Sequence, residues 1–227
     1  MSKVAERLFV LVLLCAVLLP AHSKTASNSE WHFEVFLDDK PIGFHHFYLN
    51  SSGNLHELRA EATFRVTLLG FTVYDYTHRI TELWQQDCLQ HIDASTDDNG
   101  TELFVYGNNK GDQLTLQNNA GSSELPECVM TFAYWNPTIL DQQKLLNTQT
   151  GEYLDVKVQH LGRQTLQTEG RSIPALHYRI SSRERDIDLW YSTDRDWLAL
   201  SSTTSGGRQL HYRRLASPFD TQENTDG

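Results

Sequence analysis

Basic residues are scarce in this 227-residue chain, with 19 lysines and arginines against 29 aspartates and glutamates. A formal charge of −10 leaves a polyanion such as nucleic acid without counter-charge, and argues against docking on anionic lipid by charge. Cysteine is nearly missing: there are three, Cys15, Cys88 and Cys128, and no Cys-x-x-Cys pair for redox or metal chemistry. Long apolar runs are missing beyond residue 20. Also missing are H-E-x-x-H, an EF-hand loop and G-x-S-x-G, and "TSGGR" leads into a strand pattern, so it reads as a hairpin loop. No catalytic residue, metal site or cofactor is expected from any motif.

The one apolar run, "LFVLVLLCAVLLP" at 8–20, follows Lys3 and Arg7 and precedes the small residues Ala21 and Ser23. It is shorter than the ~20 apolar residues of a membrane-spanning helix, so residues 1–23 read as a cleaved secretory signal. Bulky Leu14 before Cys15, and the apolar residues after it, do not suit a lipoprotein anchor. Removing Lys3, Glu6 and Arg7 takes away a net +1, so the mature charge is −10 − 1 = −11. Cys88 and Cys128 survive cleavage. In an oxidising compartment this even pair favours a disulfide over reactive or metal-binding thiols.

Strand periodicity dominates the rest. In "WHFEVFLD", Trp31, Phe33, Val35 and Leu37 share a face opposite His32 and Glu34. Leu58, Ala60, Ala62, Phe64, Val66 and Leu68 alternate with polar residues, and "DDKP", "SSGN", "TDDNG" and "GNNKGD" supply turns. Near the C-terminus, taking "SRER" as a loop places Ser181 opposite Asp186, Ile180 opposite Ile187 and Tyr178 opposite Leu189. Arg179 then meets Asp188 and His177 meets Trp190, matching apolar with apolar and cation with anion. The pattern predicts a mainly β fold, a curved antiparallel sheet or incomplete β-barrel of hairpins, as a single domain over 29–215. One α-helix is predicted at about 137–147, capped by Asn136 with Pro137 at its first position. Residues 216–227 have no periodicity and read as a disordered tail.

The string "FAYWNP…LLNTQTGE", with "LDVKVQHLG", "IPALHYRI" and "IDLWYSTDRDWLAL", resembles a family of exported bacterial proteins known as a domain of unknown function. The resemblance spans most of the mature chain. It implies a periplasmic protein of the Gram-negative envelope with a β-rich fold, and carries over no catalytic residue.

Candidate sites follow from chemistry. His45 and His46 point to opposite faces of a strand and so cannot share one metal ion. Aspartates 186 and 188 share a face, but Asp188 is expected to pair with Arg179. The strongest signal is aromatic. A curved sheet with apolar residues on its concave face, partly covered by the helix, makes an apolar pocket; the same residues would equally fill a packed core. In the pocket reading Phe33, Phe44, Phe64, Tyr134, Trp135, Ile139 and Leu146 line the site. The partner is an apolar or amphipathic small molecule, such as a lipid or lipid-linked precursor. Two alternatives stand beside it. One is an enzyme acting on an envelope lipid or glycan, with His45, His177 or Asp188 near the pocket. The other is a structural partner docking another envelope protein by a sheet edge.

Overall fold

A computed structural model describes residues 26–168 and 171–215. The expected signal at 1–23 and tail at 216–227 lie outside the described residues. Alternation becomes long antiparallel strands: β1 (Ala26–Leu37), β2 (Lys40–Ser52), β3 (Leu55–Leu68), β4 (Phe71–Gln85) and β5 (Cys88–Asp98). Shorter strands follow, β6 (Thr101–Asn109), β7 (Gln113–Asn118), β8 (Gly121–Pro126) and the three-residue β9 (Lys144–Leu146). The chain then returns through β10 (Tyr153–Thr168), β11 (Arg171–Ser182), β12 (Asp186–Ser192), β13 (Trp197–Thr203) and β14 (Gln209–Arg214).

All fourteen belong to one curved sheet ordered β8-β7-β6-β5-β4-β3-β2-β1-β14-β13-β12-β11-β10-β9. Every sequential neighbour pairs except β8 and β9, and β1 pairs with β14 instead, with Phe33 opposite Arg214 and Leu37 opposite Leu210. The C-terminal hairpin has the register expected from sequence: Ser181 faces Asp186, Ile180 faces Ile187, Tyr178 faces Leu189 and Arg179 faces Asp188. At Gly43 the bulged β2 passes so close to β3 that a Cβ would lie 1.9 Å from the Thr63 carbonyl oxygen. Only glycine fits the "PIGF" turn-in.

The gap between β8 and β9 is filled by residues 127–143. The Cys88–Cys128 disulfide ties the start of this segment to β5. The Leu89 N–H then donates to the Val129 carbonyl (3.1 Å), and a short parallel bridge joins Thr131 to Leu146. Trp135 packs its ring 5.8 Å from Trp84 of β4, while Tyr134 packs 5.4 Å from Trp197 of β13. The segment therefore reaches two separate walls and stoppers one end of the sheet. Beside it, Asn118 Nδ2 donates to the Thr150 carbonyl (2.8 Å), which brings β7 to the β9–β10 turn.

The helix expected at about 137–147 is much shorter. Asn136 is the N-cap, its side chain accepting from the Thr138 N–H at 3.0 Å, but a single 3-10 turn covers Pro137–Asp141 and ends at Gln142 in extended conformation. Leu145 and Leu146 belong to β9. An eleven-residue helix is marginal by itself, whereas β9 finds backbone partners on both sides, β10 and the 130–132 stretch. Tertiary pairing overrides the helical period. The core between the walls is aromatic, with Phe33 fully buried 4.4 Å from the Trp197 ring and 6.3 Å from Phe47.

Candidate functional site

Above the stopper the curved sheet lines an open-mouthed cavity of about 780 Å³. The period of two builds its walls. On β4, Tyr74, Tyr76, His78, Ile80 and Glu82 are successive even-numbered residues that all face it. Leu58, Phe64 and Val66 of β3, His45 and Phe47 of β2, and Leu210 and Tyr212 of β14 add the adjoining wall. Thr131, Phe132, Ala133, Tyr134 and Trp135 form the floor. The mouth lies among the hairpin turns at the opposite end, where Asp98, Gln149, Glu184, Arg185, Thr204 and Arg208 stand.

The interior is rich in hydroxyl and imidazole groups and holds one carboxyl, Glu82. His45 stacks on Phe47 with ring centroids 4.0 Å apart, and its Nδ1 lies 3.2 Å from the Tyr212 hydroxyl. Its Nε2 is buried and has no hydrogen-bond partner among the described residues; the Trp135 indole N–H is in the same position. Burial, then the neighbouring imidazoles of His78 and His46, hold the His45 pKa well below the ordinary histidine value. Burial also brings His78 down to about 4, with Nδ1 2.8 Å from Thr96 Oγ1. Further along β4 toward the floor, Glu82 is buried and pushed up to about 7 by desolvation, although the Thr131 side chain and the Trp84 indole N–H (3.0 Å) both hydrogen-bond its carboxyl and oppose the rise. Burial raises the phenols of Tyr74, Tyr76, Tyr134 and Tyr212, and in each the positive charge of Arg185 pulls the other way. Tyr74 donates to Asp98 (2.7 Å) and Tyr76 to Gln149 (3.3 Å), which steadies the rim.

Of the residues expected to line a pocket, Phe64, Tyr134 and Trp135 do so. Both neighbouring rings of the Tyr134-Trp135 pair reach the cavity because they sit on a turn, where strand alternation does not apply. Phe33, Ile139 and Leu146 lie instead in the packed core, and Phe44 is on the outer face, against His46. His45 and His46 do point opposite ways, His46 toward His32 on the outside. His177 and Asp188 are together, 3.0 Å apart with Arg179 on Asp188, but on the face of their strands opposite Ile180 and Leu189 and away from the cavity. Sequence reasoning missed Tyr76, His78, Glu82 and Tyr212. The signal for three of them was present, since Tyr76, His78 and Glu82 are in phase with Ile80 and Trp84 in "YDYTHRITELW".

Among the described residues no three His, Cys, Asp or Glu side chains converge as a metal site, and no helix is long and apolar enough to cross a membrane.

A family model described as a domain of unknown function (DUF6134) matches residues 33–215. Among curated proteins no relative matches. A solved structure, that of a β-barrel-like protein of domain of unknown function DUF1849 from Brucella abortus, superposes with a TM-score of 0.62 at 9% identity. The superposition covers 82% of this chain and 94% of that one, a likeness of fold.

Proposed function

Because the chain belongs to the DUF6134 family, whose description carries no activity, we propose its function from the cavity: it binds one amphipathic molecule of lipid type inside the sheet. The observation that carries this reading is a cavity of about 780 Å³ open at one mouth, in the size range of small-molecule sites, with an apolar wall and unsatisfied polar atoms. Phe47, Leu58, Phe64 and Ile80 accept the apolar body. His45 Nε2 meets a hydrogen-bonding group of the ligand, which satisfies an atom otherwise costly to bury. Arg185 at the mouth suits an acidic head group. The reading includes export to the periplasm by the 1–23 signal, which amino-terminal sequencing of the mature protein checks.

The test is native mass spectrometry of protein isolated from its own compartment without detergent, alongside uptake of a fluorescent fatty acid by the stripped protein. The expected result is a bound mass at one per chain, with His45→Leu lowering the loaded fraction about tenfold through loss of one buried hydrogen bond. No bound mass and no uptake would overturn the proposal.

A further inference from the structure

The β3–β4 hairpin carries an apolar tip that the fold does not use. Leu68, Leu69, Phe71 and Val73 are 59%, 91%, 75% and 51% exposed. The tip stands clear of the sheet. β2 leaves β3 at the Gly43–Phe64 pair and β5 leaves β4 at Tyr76–Asp98, so residues 65–75 run on as a two-stranded finger. At ~3.3 Å per residue it projects on the order of 13 Å.

Two features show that this is not ordinary surface. Leu69 has φ +50, a left-handed conformation that disfavours bulky side chains. The other non-glycine residues with positive φ are Asp38, Gln86, Asn99 and Arg195, all polar. Leucine at the apex is thus unfavourable both for the backbone and for solvation, unless the apex leaves water. The second feature is continuity. Val66 and Val73, on the two arms of the finger, also line the cavity, so the apolar surface runs from the tip into the mouth without a break.

We propose that this finger inserts into a lipid bilayer and seats the cavity mouth on the membrane surface, so that a ligand passes between bilayer and cavity. The inference rests on the cavity reading for its cargo, but not for its docking. A bilayer fits better than a deep protein groove because the apolar side chains crowd the apex, Leu68, Leu69 and Phe71, while the polar Thr67–Thr72 and Arg65–Asp75 pairs on one face suit the head-group layer just behind it. Leu68 faces Phe71 across the turn, which satisfies the inward backbone groups; the outward ones have no third strand, so only the apex side chains enter hydrocarbon and the arms stay in the hydrated interface. Insertion stops at the Arg65–Asp75 ion pair (2.6 Å), which belongs at head-group level. That pair is neutral in sum and the whole chain carries −10, so docking is by apolar insertion and not by attraction to anionic lipid.

Flotation of the signal-free chain with phosphatidylcholine vesicles tests this. The protein should rise with the vesicles equally at low and high salt, and Leu69→Asp or Phe71→Asp should each lower the vesicle-bound fraction tenfold or more. Both substitutions lie on the exposed tip, so fatty-acid uptake in solution should stay unchanged and thermal melting should not fall, rising slightly for Leu69→Asp. Wild type that remains with the soluble fraction, that rises equally well when substituted, or that rises only with anionic vesicles at low salt would overturn the proposal. So would a protein partner captured by wild type and lost from Leu69→Asp while vesicle binding is absent. Failed fatty-acid uptake with intact flotation would instead sink the cavity reading alone.

Discussion

Two buried ionisable residues pull stability in opposite directions. Glu82 is held up to about 7 against 4.5 for a free carboxyl, so between those values the folded state keeps a proton that the unfolded chain has released. Its contribution to stability therefore falls as pH rises from about 4.5 to 7. His78, at about 4 against 6.5, is neutral when folded and protonated when unfolded through most of the same window, so its contribution rises with pH. Glu82→Gln mimics the protonated acid. Denaturation should find it equal to wild type near pH 4 and more stable above pH 7, by about 3 kcal/mol. Parallel curves for the two proteins would show that Glu82 titrates normally. Neither residue stood out as a site in the sequence, although their phase was legible. A glutamate two residues before an inward tryptophan violates the apolar pattern, and that violation was the information. The depth of burial was not legible, since it depends on Thr131 and the stopper, which are distant in the chain.

At the scale of elements, local rules worked wherever both partners were close in sequence. The "SRER" hairpin came out in register because alternating residues on two adjoining strands fix it, and the Cys88–Cys128 pair followed from counting. The helix failed for the opposite reason. Nothing near 142–146 in sequence announces that β10 and residues 130–132 will flank it. The same non-local logic misplaced Ile139 and Leu146, whose burial was anticipated but in the core instead of the cavity wall. The disulfide anchors the stopper to the turn after β4, closing a loop with a sequence separation of 40. Replacing both cysteines with serine should cost about 4 kcal/mol by loop-closure entropy, read as a lower denaturation midpoint. The loss should also be local. Proteolysis should open the 127–143 segment first, and fatty-acid uptake should weaken as the cavity loses its floor.

The whole molecule is an open sheet whose curvature was readable and whose β1–β14 join was not. Alternation along every strand announced one buried face, and hairpin turns announced antiparallel neighbours. That β1 would lie against β14 depends on a contact between the two ends of the domain, which no local pattern carries. Deleting β14 leaves Phe33–Leu37 of β1 and Ala199–Thr203 of β13 as unpaired strand edges and uncovers Phe33, so a chain ending at Arg208 should aggregate or be degraded, whereas ending it at Leu215 should leave the melting temperature unchanged.

The β1–β14 seam also sets an order of events. Synthesis delivers β1 first and β14 last, and the hairpins between them need only local partners to form. The first strand must therefore wait through the synthesis of the entire domain with one side open, a long-range pairing of the kind that folds slowly. Completion of the sheet becomes a test of completeness of the chain: a prematurely ended product cannot shut the seam, and advertises its own defect as an exposed strand edge.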